Sequence, residues 1–220
     1  DGTGILLDDF ATALARHFDV EVIAYPRDEP LGYPQLCDLV RKRLARQDFV
    51  LVAESFSGPV GLAIAAERPA ALKALVMCAS FARIELPAKS LLSGAAAIVS
   101  PRYLPTAMLS LLVWGRWRTR KRTQALRQAL SRVDGKVLQL RAREALAADP
   151  ADAMRLDLPL LYLQAARDRL VGLAEERSVR TIAPGIRVER MDGPHFLLQV
   201  RPGESARAIA DYVRNLYSGS

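Results

Sequence analysis

The stretch Phe49-Val50-Leu51-Val52-Ala53-Glu54-Ser55-Phe56-Ser57-Gly58, followed by Pro59, decides how this chain is read. Its first four residues are uncharged and β-prone, as a strand buried on both faces of a parallel sheet requires. Pro59 suits a first helical turn, where its missing N–H removes no bond. The small-residue run Val60 to Arg68 then reads as a helix. Ser55 therefore stands at a sharp strand-to-helix reversal. Such a reversal strains the serine backbone, lifts its hydroxyl clear of the sheet and crowds the residues two before and two after it. Here those are Ala53 and Ser57, both small, where the usual pattern has glycines. The helix start offers free N–H groups and a positive dipole end, and the Phe56 N–H is one candidate donor to a developing oxyanion. An ordinary serine in a β-turn-α unit would show the same local pattern, so the rest of the chain has to decide its use.

The chain has 220 residues, of which 50% are hydrophobic and 25% charged, which suits one globular unit with a sizeable core. Cys37 and Cys78 are too few for a disulfide framework. With His17 and His195 as the only histidines, no metal site is expected, and nothing implies a cofactor. The net charge of +7 is uneven: Arg83 to Arg155 holds 14 Lys/Arg against 5 Asp/Glu, a balance of +9, and the remainder carries −2. Basicity confined to one segment argues against nucleic-acid binding. No uncharged run reaches the roughly 20 residues of a membrane span. The sequence opens at Asp1 inside what reads as a loop, so the first strand or strands are expected to be missing from it. A cytoplasmic location is the working expectation.

Working outward, Ile5 to Phe18 has apolar residues at helical spacing, with Asp8 and Asp9 early, where the dipole favours them. Val20 to Tyr25 alternates and reads as a strand. Tyr33 to Arg46 reads as a helix, and Ala71 to Cys78 as the next strand. Residues 83–155 hold no clear strand; Leu91 to Val99, Leu104 to Trp114, Gln124 to Arg132 and Val137 to Ala147 read as helices. The αβ rhythm then returns: strand Leu158 to Gln164, helix Ala174 to Ile182, strand Ile186 to Arg190, helix Gly203 to Tyr217. Alternation of this kind implies an α/β fold, a mostly parallel, doubly wound sheet made from residues 1–82 and 156–220 with a helical insertion at 83–155. Ligands of such sheets bind at the carboxyl ends of the strands.

At those ends stand Ser55, then Arg167-Asp168-Arg169-Leu170-Val171, then Gly193-Pro194-His195-Phe196. Serine, aspartate and histidine follow in that order, each just past a parallel strand. Asp157 precedes a strand and faces the wrong end, and Asp192 is too near His195 in sequence, so Asp168 is the candidate acid. Together with Ala53-Glu54-Ser55-Phe56-Ser57-Gly58, these motifs make the chain resemble the α/β-hydrolase superfamily in its esterase and lipase branch. Asp1-Gly2-Thr3-Gly4 looks like the end of that family's first oxyanion loop, and the helical insertion looks like its variable cap. The resemblance implies a catalytic triad of Ser55, Asp168 and His195. It also implies an oxyanion hole made by Phe56 and a residue at or just before Asp1.

The function expected is hydrolysis of a carboxylic ester or thioester through an acyl-enzyme. Transfer of the acyl group to an alcohol by the same triad is the alternative; Asp-Gly-Thr-Gly and Glu-Ser-Phe-Ser-Gly also resemble the hydrolase-like domain of plastid phytyl-ester and diacylglycerol acyltransferases. A non-catalytic hydrolase-fold binding protein is the third reading, and the presence of all three triad residues weighs against it. Leu91, Leu112 and Trp114 of the insertion are candidates for an acyl pocket. The cluster Arg116, Arg118, Arg120, Lys121 and Arg122 suggests an anionic partner, such as an acyl carrier protein or an acidic head group, beside a small acyl-ester substrate.

Overall fold

A computed structural model gives the structure of residues 2–44, 46–85, 104–150 and 155–218. Four strands form one sheet in the order β1 (Phe49–Glu54), β2 (Leu72–Cys78), β3 (Leu160–Ala165), β4 (Arg187–Met191), every neighbouring pair parallel. The register sets Glu54 beside Cys78, Cys78 beside Leu163 and Leu163 beside Glu189. The carboxyl ends of all four strands therefore lie level along one rim.

Parallel pairing requires each strand to be followed by a crossover. Helix α3 (Gly58–Ala66) joins β1 to β2, and α7 (Leu173–Ile182) joins β3 to β4. Helices α1 (Asp8–Leu14) and α9 (Pro202–Ser218) pack on one face, where Phe10, Leu14, Ile209 and Val213 meet Val76, Leu161 and Leu163. Leu62, Ala65, Val179 and Ile182 cover Leu75, Met77, Leu160 and Tyr162 on the other. Helix α2 (Tyr33–Arg41) adds Leu36, Cys37 and Val40 against Val60 and Ile64. Both faces are thus dry, which is why β2 and β3 read as continuous apolar runs rather than alternating ones.

Among the described residues the stretch between β2 and β3 forms three helices and no strand: α4 (Thr106–Trp114), α5 (Arg120–Ser131) and α6 (Gly135–Ala147). Helix α5 starts four residues earlier than periodicity suggests because Thr119 caps it, its side chain accepting from the Arg122 N–H at 3.1 Å. Asp134 caps α6 by accepting from the Lys136 N–H at 2.7 Å. Leu91 to Val99, expected to be helical, lies outside the described residues. No helix among the described residues is long and apolar enough to cross a membrane.

One element differs from expectation. Val20 to Tyr25 is not a strand. The Tyr25 N–H donates to the Gly2 carbonyl at 2.8 Å, and Val22 remains 42% exposed. A strand exists only as part of a ladder; alternation in the sequence tells which face an extended segment buries but supplies no neighbour to pair with.

Candidate active site

Ser55 begins a single 3-10 turn, Ser55–Ser57, wedged between β1 and α3. Its φ is +50°, in the left-handed region that residues with a Cβ rarely adopt. Three neighbours hold it there. The Ser80 hydroxyl donates to the Ser55 carbonyl at 2.6 Å, and the Ser80 carbonyl in turn accepts from the Tyr162 hydroxyl at 2.5 Å. Gly58 lets the turn close: a Cβ there would lie 1.9 Å from Ser80 Oγ and 2.9 Å from the Phe81 carbonyl oxygen. Gly61 likewise admits Ala53, since a Cβ on it would stand 2.9 Å from that of Ala53. The crowding expected around Ala53 and Ser57 is thus real at Ala53, and it falls hardest one residue beyond Ser57.

The other two loops meet the serine from the neighbouring strands. The Ala166 N–H donates to the Met191 carbonyl at 2.8 Å and the Arg167 N–H to the Gly193 carbonyl at 2.9 Å, so the loops after β3 and β4 are zipped together. Asp168 Oδ1 accepts from the Leu170 and Val171 N–H groups at 2.8 and 3.0 Å. His195 Nδ1 lies 2.9 Å from Asp168 Oδ2, and His195 Nε2 lies 2.7 Å from Ser55 Oγ. The His195 and Asp168 side chains are only 4% and 2% exposed. The Nδ1–H therefore points at a carboxylate and Nε2 is left as an acceptor facing the serine hydroxyl, an arrangement able to remove a proton from it.

Solved structures share the overall fold. The chain aligns with a hydrolase from Pseudomonas aeruginosa PA01 at a TM-score of 0.79 and 18% identity, covering 96% of this chain and 86% of that one. A hydrolase from Oleispira antarctica aligns at 0.80 and 14%, with 96% and 86% covered. An enol-lactonase from Burkholderia xenovorans LB400 aligns at 0.76 and 19%, with 95% and 86% covered. The fold is that of the α/β-hydrolases. No protein-family model matches the sequence, and no curated protein matches it significantly. At such identities the shape persists where the sequence signal has faded.

In this hydrolase fold two tyrosines brace the turn after Ser55, and sequence reading missed both. The Tyr33 hydroxyl donates to the Phe56 carbonyl at 3.1 Å, and its ring stacks on Phe56 with centroids 4.8 Å apart. The Tyr25 hydroxyl donates to Ser57 Oγ at 3.0 Å. Burial raises the pKa of both phenols, so each stays a neutral donor. Ser80 was also missed, although its signal was present: a polar residue two positions past Cys78, the last residue of a strand paired with β1, has to lie near Ser55. The Phe56 N–H sits in the first turn after the reversal, where helix geometry leaves donors unused. Asp1 lies outside the described residues.

A cavity of about 820 Å³ opens beside Ser55 and Phe56. Leu109, Val113, Leu126, Leu130 and Phe196 contribute apolar walls to it. Leu112 and Trp114, expected to line the acyl pocket, do not. Leu109 and Val113 are one helical turn apart and share the face of α4 that looks into the cavity, which turns Leu112 and Trp114 elsewhere. Trp114 is 2% exposed and packs with Val113 and Leu126 beneath the cavity wall. Leu91 is outside the described residues.

Proposed function

We propose that the chain is a serine hydrolase that cleaves carboxylic esters or thioesters through an acyl-enzyme. The observation that carries the reading is the continuous bonded series Asp168–His195–Ser55, at 2.9 and 2.7 Å. His195 Nε2 takes the hydroxyl proton as Ser55 Oγ attacks the acyl carbonyl carbon. Asp168 holds the ring in the required tautomer and steadies the imidazolium. The carbonyl oxygen, now negative, accepts from the Phe56 N–H and from a donor in the loop around Asp1. His195 then gives its proton to the departing alcohol or thiol, and water repeats the sequence to release the acid. Neighbours named esterase, among them one from Thermogutta terrifontis at 18% identity, and the enol-lactonase support ester-type chemistry.

We read residues 83–155 as a cap over this site, with the cavity beside Leu109 and Val113 receiving the acyl chain. Arg118, Arg120 and Lys121 are exposed, and they are the groups we assign to an anionic partner or head group. Arg116, by contrast, is engaged with Asp192 and stacked over Trp117. Activity on an anionic acyl ester that ignores both salt and the reversals Arg118→Glu and Lys121→Glu removes that assignment.

The main test is Ser55→Ala. It should keep its fold, lose labelling by a fluorophosphonate probe and lose turnover of acyl esters of graded length. An alanine variant that retained most of the rate would sink the reading. Products formed with an alcohol competing against water tell hydrolysis from acyl transfer.

A further inference from the structure

Glu54 immediately precedes Ser55, and the chemistry above gives it no task. Its side chain points to the sheet face opposite Ala53, where it meets Gln199 of α8 (Leu197–Val200), the short helix that follows His195. Gln199 Nε2 donates to Glu54 Oε2 at 2.9 Å. The remaining oxygen on each side, Glu54 Oε1 and Gln199 Oε1, is shut off from solvent and has no hydrogen-bond partner. An ionised carboxylate facing a carboxamide leaves this deficit wherever no third group donates, as here. One side offers two acceptors and the other one acceptor and one amino group, so turning the amide over leaves one oxygen on each side without a donor from the other. A charged oxygen shut off from solvent and without a donor is a costly arrangement, and one proton removes it.

We infer that Glu54 carries its proton and is joined to Gln199 by two hydrogen bonds, a carboxyl–carboxamide pair that positions Ser55 against His195. The Oε1–H of Glu54 donates to Gln199 Oε1 while Gln199 Nε2 donates to Glu54 Oε2. The pair ties the last residue of β1 to the helix that begins two residues after His195. It thereby fixes the two elements whose separation sets the Ser55–His195 contact. A neutral Glu54 also adds no second negative charge beneath the serine. Burial supports the same protonation state, since desolvation is the largest influence on this carboxyl and raises its pKa. Glu54 is a positioning residue, and its effect on rate rests on the serine hydrolase reading.

Infrared spectra of the full chain with isotope-labelled glutamate test the pair directly, without substrate. Near neutral pH the wild-type protein and Ser55→Ala should both show the carbonyl stretch of one protonated glutamate, absent in Glu54→Gln and moved to higher frequency in Gln199→Met. Glu54→Gln, whose amide can make both hydrogen bonds, should keep kcat/KM within about threefold. Gln199→Met should lower kcat on the order of tenfold with little change in KM, because substrate contacts survive while the Ser55–His195 geometry loosens. Absence of the band, its persistence in Glu54→Gln, or equal damage from the two substitutions overturns the inference. Where Glu54→Gln does not fold, an unmoved band in Gln199→Met does so. A protein that shows the band and its shift but hydrolyses no ester overturns only the functional reading.

Discussion

Trp114 stands edge-on to Phe196, with ring centroids 4.8 Å apart and planes at 77°. Phe196 follows His195, and its N–H donates to the Val113 carbonyl at 3.2 Å. The helical stretch between β2 and β3 thus reaches the imidazole through one aromatic edge and one backbone bond. Removing the indole empties a buried volume on which the histidine loop rests. Trp114→Ala should lower unfolding stability by about 3–5 kcal/mol and reduce ester turnover with it. Trp114→Phe should cost less, about 1–2 kcal/mol, since Nε1 is a buried donor without a partner and its loss removes a penalty. Denaturant midpoints of the two variants check the ordering; equal losses would mean that the ring edge carries nothing.

Asp168→Asn should hold its fold and lose kcat by about ten-thousandfold. The reason lies in the Leu170 and Val171 N–H groups, both of which donate to Oδ1. An asparagine must keep its carbonyl oxygen on that side, which puts its amino group where Oδ2 meets His195 Nδ1. Nδ1 then has to accept, so the proton moves to Nε2 and faces Ser55, the wrong tautomer for a base. Steady-state kinetics alongside a thermal melt separate this from unfolding. A loss of only a few-fold would show that Asp168 does not set the tautomer.

How far the sequence carried depended on whether a feature was local. The elbow at Ser55 and the parallel strands follow from runs of a few residues, and the three helices between β2 and β3 appear within a few residues of where periodicity set them. Asp168 and His195 were legible because parallel topology forces loops after neighbouring strands onto one rim. Val20 to Tyr25 failed as a strand because pairing is a property of two segments, and one segment's alternation says nothing about the second. Leu112 and Trp114 failed as cavity walls because apolar spacing marks a buried face without saying whether that face meets a core or a void. Tyr25 and Tyr33 act through hydroxyls that reach across the fold to Ser57 and Phe56, contacts fixed by tertiary geometry alone.

Gly58→Ala should cost about 3 kcal/mol or more. The added Cβ would stand 1.9 Å from Ser80 Oγ and 2.9 Å from both Met77 Cε and the Phe81 carbonyl oxygen. Ser80 cannot turn aside without releasing the Ser55 carbonyl, so the elbow backbone has to move and turnover falls together with stability. Gly185→Ala is the control, because nothing lies within 4 Å of its Cβ position, and it should change stability by no more than about 0.5 kcal/mol. Indistinguishable melting curves for Gly58→Ala and Gly185→Ala would dismiss the close approach.

The stability difference between Glu54→Gln and the wild-type protein should widen as pH rises. Burial, first, holds the Glu54 carboxyl above the ordinary carboxylate range; the Gln199 amide and His195 pull it back, and Asp168 adds to the rise. In the unfolded chain a glutamate ionises near pH 4.3, roughly its free value. Above that pH the folded state therefore binds more protons at this residue than the unfolded state does, which makes its contribution to stability fall as pH rises. The contribution is complete below the unfolded value and fades towards the raised, folded one. Glutamine has no proton to take up, so the slope should vanish in the variant. Upward from about pH 4.3 towards the raised, folded value, the stability of Glu54→Gln relative to wild type should climb, by at most about 1.4 kcal/mol per pH unit. Parallel curves across that range, measured by thermal or denaturant unfolding, would mean that Glu54 is ionised in the fold.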